Sequence, residues 1–191
     1  MTEPSDSRRP LACHPASPSR PALAVVGCVR LVPPGSLRLR YSVQGGTDGL
    51  RIPHPSPPVR ADRLWEHTCF EAFVAAAGSE AYREFNFSPS GAWAAYDFDG
   101  YRRNMRPADA RDPAIRVRRD ACNLELEAIL DDACLPAGPL RLALSAVIED
   151  RDGARSYWAL GHPAVEPDFH HPDSFVLLFD RAGPRPGETR G

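Results

Sequence analysis

The sequence predicts an all-β fold, an antiparallel β-sandwich of about ten short strands. Apolar and polar residues alternate with period two through most of the chain, as half-buried strands require. Turn-forming runs such as Pro33-Pro34-Gly35-Ser36, Ser88-Pro89-Ser90-Gly91 and Asp150-Arg151-Asp152-Gly153 recur between those segments. No segment sustains a helical apolar period beyond a turn or two, and no internal repeat is present.

Taken in order, residues 1–21 hold five prolines among Ser, Arg and Ala, and are expected to be disordered or loosely draped. The folded domain is expected over residues 22–180, with a flexible tail over 181–191. Residues 22–32 are apolar on both faces and read as a central strand. In 37–43, Leu37, Leu39, Tyr41 and Val43 face inward against Arg38, Arg40 and Ser42. A long loop, 50–63, carries Pro53, Pro55, Pro57 and Pro58 and reads as a rigid extended rim leading to Trp65.

Residues 64–101 are the centre of the chain. Three consecutive strands, 67–75, 82–87 and 92–98, are joined by a turn at Ala77-Gly78-Ser79-Glu80 and by Ser88-Pro89-Ser90-Gly91, where Pro and Gly suit a type I turn. By parity, one face carries Phe70, Ala72, Val74, Phe85 and Phe87 and reads as core. The other face combines Glu71, Glu84, Asn86, a hydroxyl and an indole. Asp97 and Trp93 oppose Tyr96 and Phe98, so they are expected on that polar face.

Beyond it, residues 100–113 carry Arg102, Arg103, Arg106 and Arg111. They suit either a carboxylate or phosphate ligand, or a solvated connection balanced by Asp109 and Asp112. Residues 115–118 and 124–130 form a hairpin in which Arg116 and Arg118 lie opposite Glu125 and Glu127, pairs that set register. Residues 131–138 connect, with room for one helical turn. Residues 140–148 alternate cleanly, a hairpin turn leads to 155–160, a histidine-bearing loop spans 161–173, and 174–180 is the last strand.

Composition excludes whole classes of chemistry. All 23 basic residues of the 191-residue chain are arginine, so no Schiff-base or P-loop lysine exists. A net charge of −2 gives no pull towards nucleic acid or membrane. The five cysteines are scattered without metal-ligand spacing, and no apolar leader precedes them. A cytoplasmic protein with reduced thiols is the expectation.

The run Leu64-Trp65, Phe70-Glu71-Ala72-Phe73 and Tyr82-Arg83-Glu84-Phe85-Asn86-Phe87-Ser88-Pro89-Ser90-Gly91-Ala92-Trp93 resembles the central motif of DOMON-like ligand-binding domains, a superfamily that includes the family 9 carbohydrate-binding modules. Tyr157-Trp158-Ala159-Leu160 and Pro167-Asp168-Phe169-His170-His171-Pro172-Asp173 are similar to the bacterial stand-alone group. The resemblance covers residues 23–180. It implies a β-sandwich that binds a small molecule, sugar or haem, without catalysing a reaction. By position it marks Trp65, Glu71, Asn86 and Trp93 as ligand-binding residues, aromatics stacking on the ligand and polar groups bonding its hydroxyls. Trp158, mid-strand, is expected in the core.

Three alternatives accompany that reading. His162, His170 and Asp173 supply metal-ligand chemistry in one loop, although adjacent His170 and His171 point apart in extended chain. Met105 with His162 or His170 resembles the ligation of b-type haem in some relatives, which implies electron transfer. Glu71, Glu84 and Asp97 on one face offer the carboxylate pairing of a glycoside-processing enzyme. The expected function is non-catalytic binding of a small, carbohydrate-like polar ligand, with no nucleic-acid or membrane partner.

Overall fold

A computed structural model describes residues 8–19 and 22–181. Its strands are β1 (Arg9–Cys13), β2 (Leu23–Val32), β3 (Ser36–Gly45), β4 (Cys69–Ala76), β5 (Tyr82–Phe87) and β6 (Trp93–Phe98). They continue as β7 (Arg106–Pro107), β8 (Ala114–Arg119), β9 (Asn123–Leu130), β10 (Leu140–Glu149), β11 (Arg155–Ala159) and β12 (Leu177–Phe179). Among the described residues helix is confined to 3-10 turns of three residues, one of them Asp132–Cys134 in the predicted connection. None of these is long and apolar enough to cross a membrane.

The fold is all-β and antiparallel, as predicted. One continuous sheet runs β7-β6-β5-β4-β10-β11-β1-β2-β3-β9-β8, with β12 added to β10, and curls so that its two halves pack face to face. Leu37, Leu39, Tyr41 and Val43 of β3 and Leu124, Leu126 and Leu130 of β9 meet Phe70, Phe85, Phe87 and Leu142 across that core. The alternation of β3, β9 and β10 places these side chains inward without exception. Tyr41, fully buried, donates its hydroxyl to the Glu71 carbonyl at 2.6 Å, a bond that ties the two layers together. Arg116 faces Glu127 and Arg118 faces Glu125 in the β8–β9 ladder, in the expected register.

Two strands escaped the sequence reading. Residues 9–13 lie in the segment expected to be loose, yet β1 joins the two halves of the sheet. Arg9, Pro10 and Leu11 pair with β2, whereas Ala12 and Cys13 pair with β11. That stagger accommodates Pro10, which pairs on one side only and has no ladder donor to lose on the other. Leu11 fills the core at 4% exposure. The backbone N–H of His14 continues the contact by donating to Tyr157. Strand β7 is a two-residue extension on the β6 edge. The expectations for 1–7, 20–21 and 182–191 lie outside the described residues.

The third strand of the central unit has the opposite phase to the one predicted. Phe87 pairs with Trp93 and Glu84 with Tyr96, and directly opposed residues project to the same side. Trp93 therefore points into the core beside Phe87, while Tyr96 and Phe98 join Glu84. Asp97 follows Trp93 and forms a two-pronged ion pair with Arg83, at 2.7 and 3.0 Å. It is not on the face of Glu71 and Glu84.

That second face is not a solvated surface either. Phe73, Tyr82, Tyr96, Phe98, Ala143 and Val147 form a further apolar cluster with Phe169 and Phe175, which the 161–175 segment lays over the sheet. Every residue of β4 except the last is consequently buried. The 100–113 arginines find acids other than Asp109 and Asp112. Arg106 pairs with Asp99, Arg103 with Glu80, Arg111 with Asp131 and Arg102 with Asp168.

Candidate functional site

The outer face of the β10–β4–β5–β6 half carries a polar row set by register. Ser145 lies opposite Glu71, and Glu71 opposite Asn86, while Glu84 sits two residues from Asn86 on the same side of β5. Ser145 donates to Glu71 at 3.2 Å. Asn86 donates to Glu84 at 2.6 Å and accepts from the Cys69 thiol at 3.5 Å. All four members of this row are buried.

Above it opens a cleft of about 350 Å3. Glu71 and Glu84 reach its floor, and Trp65, Phe98, Tyr157 and Phe169 supply aromatic walls. Arg102, Met105, Arg155 and His170 also line it. Trp65 belongs to a 3-10 turn, Leu64–Glu66, that follows Arg63 in a left-handed conformation, and its indole packs edge-on against Tyr96. Tyr82 stacks on Phe98 with ring centres 4.8 Å apart, and both rings hold the His170 imidazole.

Electrostatics follow from burial. Glu71 is pushed well above the carboxylate range by desolvation and by neighbouring Glu84, with Ser145 and Arg102 opposing. Burial raises Glu84 to about 7, against the Asn86 bond and the Arg102 charge. His170 is lowered to about 4 by desolvation and then by Arg102. Its Nδ1 lies 2.8 Å from the Tyr82 hydroxyl, which also accepts the backbone N–H of Arg102. Its Nε2 is 3.7 Å from Glu84. Arg102, at a positive φ of 52°, is held by Asp168 at 2.8 Å, and Tyr101 donates to the same carboxylate at 2.7 Å. At neutral pH the floor therefore presents Glu71 biased towards its protonated form and Glu84 about half protonated, beside a neutral imidazole and a fixed guanidinium. Protonated carboxyls both donate and accept hydrogen bonds.

Of the four ligand residues expected, Trp65 and Glu71 line this cleft. Asn86, with no exposed surface, lies beneath Glu84 and positions it. Trp93 is 1% exposed on the opposite side of the sheet, with Arg60 over its ring at 4.9 Å. Trp158 is in the core as predicted, its indole N–H donating to Ser156. Sequence reasoning placed Arg102 among the anion-binding candidates of the 100–113 loop rather than with the ligand residues, and it missed Arg155, Tyr157 and Phe169 as site residues. Phe98 enters the cleft because Phe87 pairs with Trp93 and Tyr82 with Phe98, a register that parity within the strand does not set.

The metal alternative is not assembled. His162 bonds the Ala12 carbonyl through Nε2, His170 is engaged by Tyr82, and the Asp173 side chain is 80% exposed. Among the described residues no three His, Cys, Asp or Glu side chains converge to hold an ion. For haem, Met105 and His170 do line one cleft, but His162 does not. The Tyr82 bond to His170 Nδ1 leaves Nε2 free, 3.7 Å from Glu84, but the buried Glu71 and Glu84 carboxyls stand on the cleft floor where a porphyrin face needs apolar contact.

No protein-family model and no curated protein sequence matches the chain. Solved structures do. A candidate carbohydrate-binding protein from Bacteroides uniformis superposes with a TM-score of 0.64 over 88% of this chain and 84% of its own, at 15% identity. A family 9 carbohydrate-binding module from Caldicellulosiruptor kristjanssonii, in complex with cellotriose, gives 0.48 over 78% and 71% at 11% identity. The same organism's module with glucose gives 0.47 over 78% and 73% at 10% identity. At these identities the first likeness is one of fold.

Proposed function

We propose that this chain is a DOMON-like β-sandwich that binds a small carbohydrate-like ligand in the Trp65–Glu71–Glu84 cleft without chemically altering it. The observation that carries the reading is the cleft itself, in which aromatic walls stand over a floor of buried carboxyls, Glu71 and Glu84. Sugar rings offer an apolar C–H face for stacking and a rim of hydroxyls that both donate and accept. The volume lies within the ~300–1,000 Å3 of small-molecule sites. The motif resemblance and the fold shared with the Bacteroides protein support the same reading.

The test is a calorimetric titration of the purified protein with glucose, cellobiose, cellotriose and a panel of other mono- and disaccharides. Binding of one or more, weakened at least ~10-fold (~1.4 kcal/mol) in Trp65→Ala, supports it. Absence of binding across the panel refutes it. The buried carboxyls favour one second reading, glycoside processing. Turnover of aryl glycosides that disappears in Glu84→Gln would replace binding with catalysis.

A further inference from the structure

A second cleft, of about 700 Å3, lies on the same outer face behind the Tyr82–His170 pair. Its walls are apolar, formed by Ala75, Tyr82, Tyr101, Pro172 and Phe175, and two guanidiniums, Arg103 and Arg141, line it. They are not equivalent. Arg103 is an exposed side chain already paired with Glu80, which also lines the cleft. Arg141 projects from β10, stacks over Phe175 at 5.6 Å and spends one donor on the Ser79 carbonyl. Its Nε is buried without a hydrogen-bond partner, and among the described residues no carboxylate pairs with it.

Half-buried, with no carboxylate paired to it and aromatic walls beside it, this guanidinium leaves a charge that a bound anion could neutralise. Counting Arg103, Arg141 and Glu80, with His170 neutral, the lining carries one net positive charge. We propose that this cleft binds a small carboxylate bearing an aromatic or alkyl group, its carboxylate on Arg141 and its apolar part between Tyr82, Tyr101 and Phe175. Arginine suits that role because its planar fork takes a carboxylate through two bonds at once. His170 lines both clefts, so the acid would seat against the back of the wall that bounds the first site.

The experiment titrates the intact chain with phenylacetate, octanoate and the neutral isostere phenylacetamide. The expected result is an acid bound at least ~10-fold tighter than the amide, a preference erased in Arg141→Met and partly kept in Arg141→Lys. Were Arg141→Met to fail to fold, Arg103→Met reads the same cleft and should weaken the acid several-fold. The proposal is overturned by equal binding of acid and amide or by wild-type affinity in Arg141→Met. It is equally overturned by unchanged affinity in Arg103→Met where that variant is the one read, or by no acid binding up to ~10 mM. An acid held instead by Arg102 or Arg155 would give wild-type affinity in Arg141→Met.

Discussion

Trp65 and Trp93 look interchangeable in the chain, each an indole at the edge of a strand, yet they make opposite predictions. Trp65 is half-buried at the cleft wall, so Trp65→Ala should lower ligand affinity while the urea midpoint stays close to that of the wild type. Trp93 is sealed beside Phe87, and Trp93→Ala should cost ~3–5 kcal/mol by urea unfolding. Glu84 makes the pH prediction. Its folded-state pKa, about 7, exceeds the ordinary carboxylate value of 4.5, so the folded chain keeps a proton that the unfolded chain releases. The stability that this proton contributes is present below the unfolded value and lost as pH rises through about 7. His170 acts in the other sense: lowered to about 4, it contributes stability above 6.5 that is lost as pH falls through about 4. His162, also lowered, acts in the same sense, and the gain from both histidines levels off within about one pH unit above 6.5, where only the carboxyl loss continues. The melting temperature should fall by ~4 °C or more between pH ~6.5 and ~8 and do so less in Glu84→Gln. An unchanged slope in that variant would place the titration elsewhere.

Strand β1 is the element on which closure of the sheet depends. Its five residues are hydrogen-bonded to β2 and then to β11, so each half of the sheet would have an open edge there without it. Leu11→Ala should destabilise the protein by ~2–5 kcal/mol, a large effect for a residue in a proline-flanked N-terminal stretch. Tyr41 on β3 provides the second tie. Tyr41→Phe removes its bond to the Glu71 carbonyl and should cost ~1 kcal/mol by the same measurement, leaving the fold intact. Nothing local marks β1 as a strand, because one buried leucine in five residues gives no period to count.

The molecule is layered more deeply than a two-sheet sandwich. The 161–175 segment contributes Phe169, His170 and Phe175 as a third layer over β4, β5 and β6, and both clefts are gaps in that cover. A ligand in the first cleft touches the sheet on one side and Pro167, Phe169 and His170 on the other. Hydrogen exchange in residues 168–170 should therefore slow when ligand is bound, while the already buried β4–β10 ladder changes little. Equal protection with and without ligand would remove the segment from the site.

Most of the β-architecture was legible because alternation is a local property. The inward leucines of β3, β9 and β10, the hairpin registers and the bounds of β5 follow from period two and turn residues alone. The motif resemblance also marked Trp65 and Glu71 together, and both line the same cleft. Three-dimensional packing decided the rest. Whether Trp93 points in or out depends on which residue opposes Phe87 across a turn. Arg102 and Phe169 line the Glu71 cleft only because loops from distant parts of the chain cover one face of the sheet, and Tyr157 only because β11 lies beside β10. Such contacts are non-local, and no pattern within a short window encodes them.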